Sequence, residues 1–142
     1  MRVFFIPIIL ASSFLSSGCV HGSHAINCVL VNSQKVCFVR EVWGHNGDRV
    51  ALTTSENVCH QPQSETDFVS DALGAGHSVY YKIDGETLRI YGSVGRMKHP
   101  RKPFPVSVEF ENLMNPEEDI LFNNGYSRLP LEEMTWCFSD LK

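Results

Sequence analysis

Ser78–Gly92 reads SVYYKIDGETLRIYG, and its alternation decides the fold class. Asp84-Gly85 is a preferred two-residue hairpin turn, because both central positions of such a turn require positive φ. Folding about it sets Ile83 opposite Glu86, Tyr81 opposite Leu88 and Val79 opposite Ile90. Val79, Tyr81, Ile83, Leu88 and Ile90 then share one face, while Tyr80, Lys82, Thr87, Arg89 and Tyr91 share the other. Alternation that agrees across both arms is what a half-buried antiparallel pair requires.

Upstream, Val36–Trp43 (VCFVREVW) and Arg49–Thr54 (RVALTT) flank Gly44–Asp48. An Asn46-Gly47 turn pairs Trp43 with Val50 and Val39 with Thr54. Ile26–Val31 is a further β-prone run, and a turn at Asn32-Ser33 sets Cys28 opposite Cys37. Downstream, Phe104–Glu111 (FPVSVEFE) alternates strictly and Met134–Phe138 (MTWCF) reads as a last strand. Helix signals are sparse. Ser64-Glu65-Thr66-Asp67 can cap a short helix over Phe68, Val69, Ala72 and Leu73 closed by Gly74. Asn115-Pro116-Glu117-Glu118 can open a single turn. Frequent turns between short strands predict an all-β fold: a small antiparallel β-sandwich, immunoglobulin-like or similar, with at most one or two short helices and stapled by disulfides.

The N-terminus reads as an export signal. Arg2 supplies the charge, Val3–Ala11 a short apolar run, and Ser16-Ser17-Gly18 the small residues before Cys19. The run is shorter than the ~20 residues that span a bilayer. Ser16-Ser17-Gly18-Cys19 resembles the bacterial lipobox, whose cysteine becomes the acylated first residue. Ser16 stands where that motif usually has leucine, and Leu15 lies one position further back. The domain reading is residues 1–18 as a lipoprotein signal peptide, 19–25 as lipidated N-terminus and tether, and 26–142 as the β-sandwich. Of five cysteines, Cys19 is then taken by lipid, leaving Cys28, Cys37, Cys59 and Cys137 for two disulfides in an oxidising compartment. Cys28–Cys37 with Cys59–Cys137 and Cys37–Cys59 with Cys28–Cys137 are equally compatible with the strand pattern. Loss of the signal takes Arg2 from the 12 Lys+Arg, leaving a net charge of −5 against 16 Asp+Glu. An acidic body argues against non-specific nucleic-acid binding.

Catalytic patterns are absent from the sequence. There is no GxSxG elbow, and Gly92-Ser93-Val94-Gly95 is a turn after a strand. Gly74-Ala75-Gly76-His77 leads into a strand, so it does not read as a phosphate loop. The histidines (His21, His24, His45, His60, His77 and His99) are dispersed, without HExxH or a close carboxylate–histidine cluster, so no metal and no cofactor is expected. Glu117-Glu118-Asp119 reads as a solvated helix start. Two surfaces suit partner binding instead. One is the Arg96–Pro103 loop, whose Arg96, Lys98, Arg101 and Lys102 are kept extended by prolines. The other is the face carrying Tyr80, Lys82, Arg89 and Tyr91, residue types enriched at interface hot spots.

The lipobox, the KVCF strand (Lys35–Phe38), the later Cys59 and the SVYYKIDG hairpin together resemble small periplasmic lipoproteins of the type VI secretion immunity kind. The resemblance implies a non-enzymatic protein that binds a cognate secreted toxin, a phospholipase-like effector, and occludes its active site. It implies a protein partner and a lipid-mediated membrane attachment, with no nucleic acid and no small-molecule substrate. Val20 after the acylated cysteine, where inner-membrane lipoproteins usually carry Asp, implies the periplasmic leaflet of the outer membrane. A lysozyme-inhibitor-like lipoprotein and a structural lipoprotein of an envelope machine are the alternatives.

Overall fold

The computed structural model describes residues 20–44, 47–70, 78–91, 97–111 and 117–138. The signal segment, Cys19 and Arg96 lie outside them, as do Asn46, Ala72–His77, Gly92–Gly95 and Asn115-Pro116. The described chain runs β1 (Val20–Val31), β2 (Gln34–Trp43), β3 (Gly47–Thr53), β4 (Phe68–Ser70), β5 (Ser78–Asp84), β6 (Thr87–Tyr91), β7 (Met97–Lys98), β8 (Ser107–Glu111), α1 (Glu118–Asn123), β9 (Ser127–Pro130) and β10 (Thr135–Phe138). The strands form two sheets ordered β10-β1-β2-β3-β4-β7 and β8-β6-β5-β9. The expected all-β, two-sheet, disulfide-stapled fold with one short helix is what the chain adopts.

Inward-facing residues of both sheets form one core. Val29, Val31, Val36, Phe38, Val50 and Leu52 from the large sheet meet Val79, Leu88, Ile90 and Leu129 from the small one. Burying each such large side chain is worth about 1.5–3 kcal/mol. Arg40 also points inward, at 7% exposure. Its guanidinium grips Asp48 bidentately (3.1 and 2.9 Å) and donates to the Leu131 carbonyl at 3.3 Å, so the charge is satisfied where it is buried.

The β5–β6 hairpin keeps the expected faces but shifts register by two residues: Ile83 lies opposite Leu88 and Tyr81 opposite Ile90. The two-residue loop is Gly85-Glu86, with positive φ at Gly85 (62°) but not at Glu86. That is the pattern of a turn with glycine in its first central position, whereas a turn centred on Asp84-Gly85 needs positive φ at both. Because the slip is even, no side chain changes face. The β2–β3 register is corrected more seriously. Trp43 pairs with Gly47 and Arg40 with Val50, an odd shift from the expected pairing, with Gly44 at φ 58° entering the turn. Gly47 has no side chain, and the Trp43 indole lies over it: a Cβ there would meet the ring at 2.3 Å.

The β1–β2 turn behaves as expected. Asn32 (φ 48°) and Ser33 (φ 65°) both take positive φ, and Cys28 faces Cys37. The bridges are Cys28–Cys37 and Cys59–Cys137, which resolves the open pairing.

Three further expectations are corrected. The tether reading of residues 20–25 gives way to strand: β1 begins at Val20 and pairs with both β2 and β10. A bulge at Gly22, at φ 131°, accommodates this otherwise small and polar stretch. The helix expected after Ser64 is replaced by a turn and then β4. Asp67 folds back to accept the Gln63 backbone N–H at 2.8 Å, and Phe68 enters the core opposite Leu52, so burial overrides local propensity. The strand expected from Phe104 starts only at Ser107 and pairs in parallel with β6. Pro103 and Pro105 lack the N–H that a ladder needs, and Phe104 packs edge-on to Phe68 at 5.0 Å instead. In α1 the helix starts one residue after Glu117, which serves as N-cap without a side-chain capping bond.

Residues 54–67 cross the outer face of the large sheet as a strap, from the end of β3 to β10, where Cys59 is bonded to Cys137. This explains why β2 is buried on both faces from Val36 to Glu41. The strap is pinned at its root by His60, whose Nε2 lies 2.6 Å from Asp67 Oδ2 and 3.2 Å from Thr53 Oγ1.

Candidate partner-binding surfaces

The small sheet's outer face assembles the tyrosine–arginine group. Tyr80 pairs with Tyr91 and Lys82 with Arg89 across β5–β6, so the strand alternation brings all of these side chains to one surface. β8 lies beside β6 in parallel and places Glu109 next to Arg89 and Glu111 next to Tyr91. Arg89 is therefore ringed by carboxylates: Glu111 at 2.9 Å, Asp84 at 3.3 Å and Glu109 at 3.5 Å.

Residues that the sequence reading did not single out complete the surface. The Tyr126 hydroxyl donates to Glu111, and its ring meets Tyr91 edge-on at 6.4 Å. Tyr126 follows α1 and is held by its backbone N–H to the Leu121 carbonyl, which is how the helix turn presents the ring to the sheet. Phe122 of α1 lies 6.2 Å from the Tyr80 ring, and the Tyr80 hydroxyl donates to Glu118 at 2.7 Å. Hydrogen bonding from Tyr126, then from Arg89, holds the Glu111 carboxyl below the usual range. Burial first, and Glu111 second, push the Tyr126 phenol up. The Glu118 carboxylate raises Tyr80 in the same way. These shifts describe a surface whose polar groups hold one another in place before any partner arrives. Phe122 on α1, 46% exposed, extends it with apolar area.

The basic loop is elsewhere. Lys98 sits in β7 at an edge of the large sheet. Arg101 and Lys102 dock on the strap: their backbone N–H groups donate to Ser64 O and Glu65 O. Their side chains pair with Glu65 at 3.3 and 3.9 Å. They remain strongly exposed, and exposed pairs of this kind contribute ~0–1 kcal/mol. The two surfaces anticipated from sequence thus belong to different sheets and do not converge. Tyr80, Lys82, Arg89 and Tyr91 come together; Lys98, Arg101 and Lys102 form a separate rim.

His60, Asp67 and Thr53 have the residue types of a hydrolytic triad but not its geometry. A relay uses both ring nitrogens, one toward the acid and one toward the nucleophile. Here both contacts fall on Nε2, and the Thr53 hydroxyl already accepts the Ser55 N–H at 3.1 Å. The arrangement fastens the strap. On the same outer face, His24, Glu41 and Arg49 lie in one row across β1, β2 and β3. Glu41 is buried, 2.5 Å from Arg49 Nε and 3.6 Å from His24 Nε2, and Arg49 stacks over Trp43 at 5.3 Å. Among the described residues no group of three or more His, Cys, Asp or Glu side chains is placed to hold a metal ion, and no helix is long and apolar enough to cross a membrane.

Compared with protein-family models, curated proteins and solved structures, the chain matches none.

Proposed function

We propose that this chain is an envelope-anchored inhibitory binding protein of the immunity kind. In this reading it is acylated at Cys19, held at the periplasmic face of the outer membrane, and uses the outer face of the small sheet to occlude a secreted toxin of the phospholipase class. The observation that carries the reading is the outward face of Tyr80, Arg89 and Tyr91, cross-braced by Glu111, Glu118 and the buried Tyr126. Ordering side chains costs about 0.5–1.5 kcal/mol each on binding, and these are ordered already. Tyrosine and arginine are the residues that dominate protein interfaces. The rim cations Lys98, Arg101 and Lys102 belong to a different surface and serve encounter rather than affinity.

The test uses the product of the open reading frame adjacent to this gene, which this reading expects to be a secreted lipase-like hydrolase. The anchorless domain should abolish its activity at one-to-one stoichiometry; a toxin that stays active in excess domain rejects the reading. The carboxylates Asp84, Glu109, Glu111 and Glu118 on this face also favour a basic partner, which supports the lysozyme-inhibitor alternative. A lysozyme turbidity assay decides between the two.

A further inference from the structure

We propose that Trp136 and Phe138 form a membrane-contact patch beside the acylated N-terminus, so that the domain rests against the lipid surface instead of hanging from a tether. The proposal rests on the reading of Cys19 as a lipid anchor and adds to it where, and by which residues, the domain touches the bilayer.

The observations come from β10 and the start of β1. Trp136 and Phe138 are 66% and 68% exposed, the two most exposed large hydrophobic side chains among the described residues. They alternate with Cys137, which is 3% exposed and bonded to Cys59, so the strand that carries them is covalently fixed. β10 is an edge strand of the large sheet. Its partner is the beginning of β1: Trp136 lies opposite Ser23 and Phe138 opposite Val20. Val20 is one peptide bond from Cys19. Facing residues in a sheet are about 5 Å apart and consecutive Cα atoms ~3.8 Å apart. Cys19 itself lies outside the described residues, and its covalent neighbour Val20 is the residue that faces Phe138.

Nothing in that geometry leaves slack. Because β1 begins at Val20, there is no spacer to lift the sandwich away from an anchor at Cys19. The part of the domain that must meet the headgroups is the end carrying Phe138 and Trp136. Aromatic side chains, tryptophan above all, are the residues that settle at the lipid–water interface. Glu132 and Glu133, just before β10, are acidic and exposed, so attachment here depends on ring insertion and not on attraction to anionic lipid. Occupation of the patch by bilayer also covers an apolar sheet edge that would otherwise invite strand pairing. The tyrosine–arginine face is on the other sheet and stays available to a partner.

The experiment uses the full acylated protein with Trp43→Phe, leaving Trp136 as the sole tryptophan, in vesicles of phosphatidylethanolamine and phosphatidylglycerol containing acyl-chain-brominated lipid. Mass spectrometry reports the acyl groups on Cys19 independently. Trp136 emission is expected to move to shorter wavelength and to be quenched by the brominated lipid, as for an indole seated at the interface. Quenching is expected to be unchanged by salt and to persist when phosphatidylcholine replaces the anionic lipid. The conservative variant Phe138→Trp, made together with Trp136→Phe, should report the same depth, and both positions are exposed enough for folding to survive. Acylated, vesicle-bound protein with unquenched Trp136 overturns the proposal while leaving the anchor intact. Absence of acyl mass overturns the anchor reading and the proposal with it. An anchorless Cys19→Ser domain that sediments as a dimer, and reverts to monomer on Trp136→Ser, assigns the edge to a second copy and likewise overturns it.

Discussion

Replacing Cys59 and Cys137 together with alanine removes the bridge that closes the longest covalent loop in the described fold. In the chain-entropy description the stabilisation grows with the logarithm of loop length. A sequence separation of 78 gives about 4.5 kcal/mol, whereas the separation of 9 between Cys28 and Cys37 gives about 2.6 kcal/mol. The native-state consequences point the same way. Cys28 and Cys37 face each other in a hairpin already held by its ladder and its Asn32-Ser33 turn. Cys59–Cys137 instead ties the strap covalently to an edge strand, and without it the strap is held only by non-covalent contacts, among them the His60–Asp67–Thr53 group and the Arg101 and Lys102 backbone bonds to Ser64 and Glu65. Urea unfolding followed by circular dichroism reads the difference. With an m of about 1.8 kcal/mol/M, the midpoint should fall by about 2.5 M for the Cys59/Cys137 variant and about 1.4 M for the Cys28/Cys37 variant. Equal losses, or a larger loss for Cys28/Cys37, would refute the strap as a principal stabilising element.

Three other outcomes are expected. Gly22→Ala puts a Cβ 2.4 Å from the Val42 carbonyl oxygen at φ 131°, so it should cost ~2 kcal/mol or more of unfolding free energy; a tether at residues 20–25 would show no loss. Glu111, depressed by Tyr126 and Arg89, contributes stability that is present above the ordinary carboxylate range and lost as pH falls through its lowered folded value. Tyr126, raised by burial and by Glu111, contributes stability that is complete below its ordinary value of 10.0 and lost as pH rises above it. Thermal melts across pH should therefore show a flattened acid limb for Glu111→Gln and a flattened alkaline limb for Tyr126→Phe. Tyr80→Ala and Tyr91→Ala should each weaken toxin binding by about 2 kcal/mol, or roughly 30-fold in Kd, chiefly through faster dissociation. Arg101→Ala with Lys102→Ala should slow association at low salt and leave dissociation unchanged; surface plasmon resonance separates these effects.

The sheet faces were legible in the sequence because alternation along a strand is a local property. Val79, Leu88 and Ile90 point inward as their spacing requires, and Tyr80, Lys82, Arg89 and Tyr91 point outward. Register was less legible, since it depends on which residues of a turn take positive φ. Gly85 shifted one hairpin by an even step, and the Gly44 turn shifted another by an odd one. Composition misled at Val20–Ala25, where small and polar residues form a strand because β2 and β10 supply partners on both sides. The Ser64–Leu73 stretch carried a helix cap signal that the burial of Phe68 outweighs. Tyr126 and Glu111 were not visible as site residues, because the parallel β6–β8 pairing and the turn after α1 bring them to Arg89 and Tyr91 from distant parts of the chain. The strap had one sequence signal, Cys59, and its course became definite only with Cys137 as its partner.

The most direct test is a titration of the purified product of the adjacent open reading frame, expected to be a lipase-like hydrolase, with the anchorless domain, reading lipid hydrolysis and complex formation together. The expected result is a one-to-one complex in which activity is lost in proportion to domain added, and in which the combined Tyr80→Ala, Tyr91→Ala variant no longer inhibits. Full activity in excess domain, or inhibition untouched by that variant, would contradict the assignment of the tyrosine–arginine face as the toxin-binding surface.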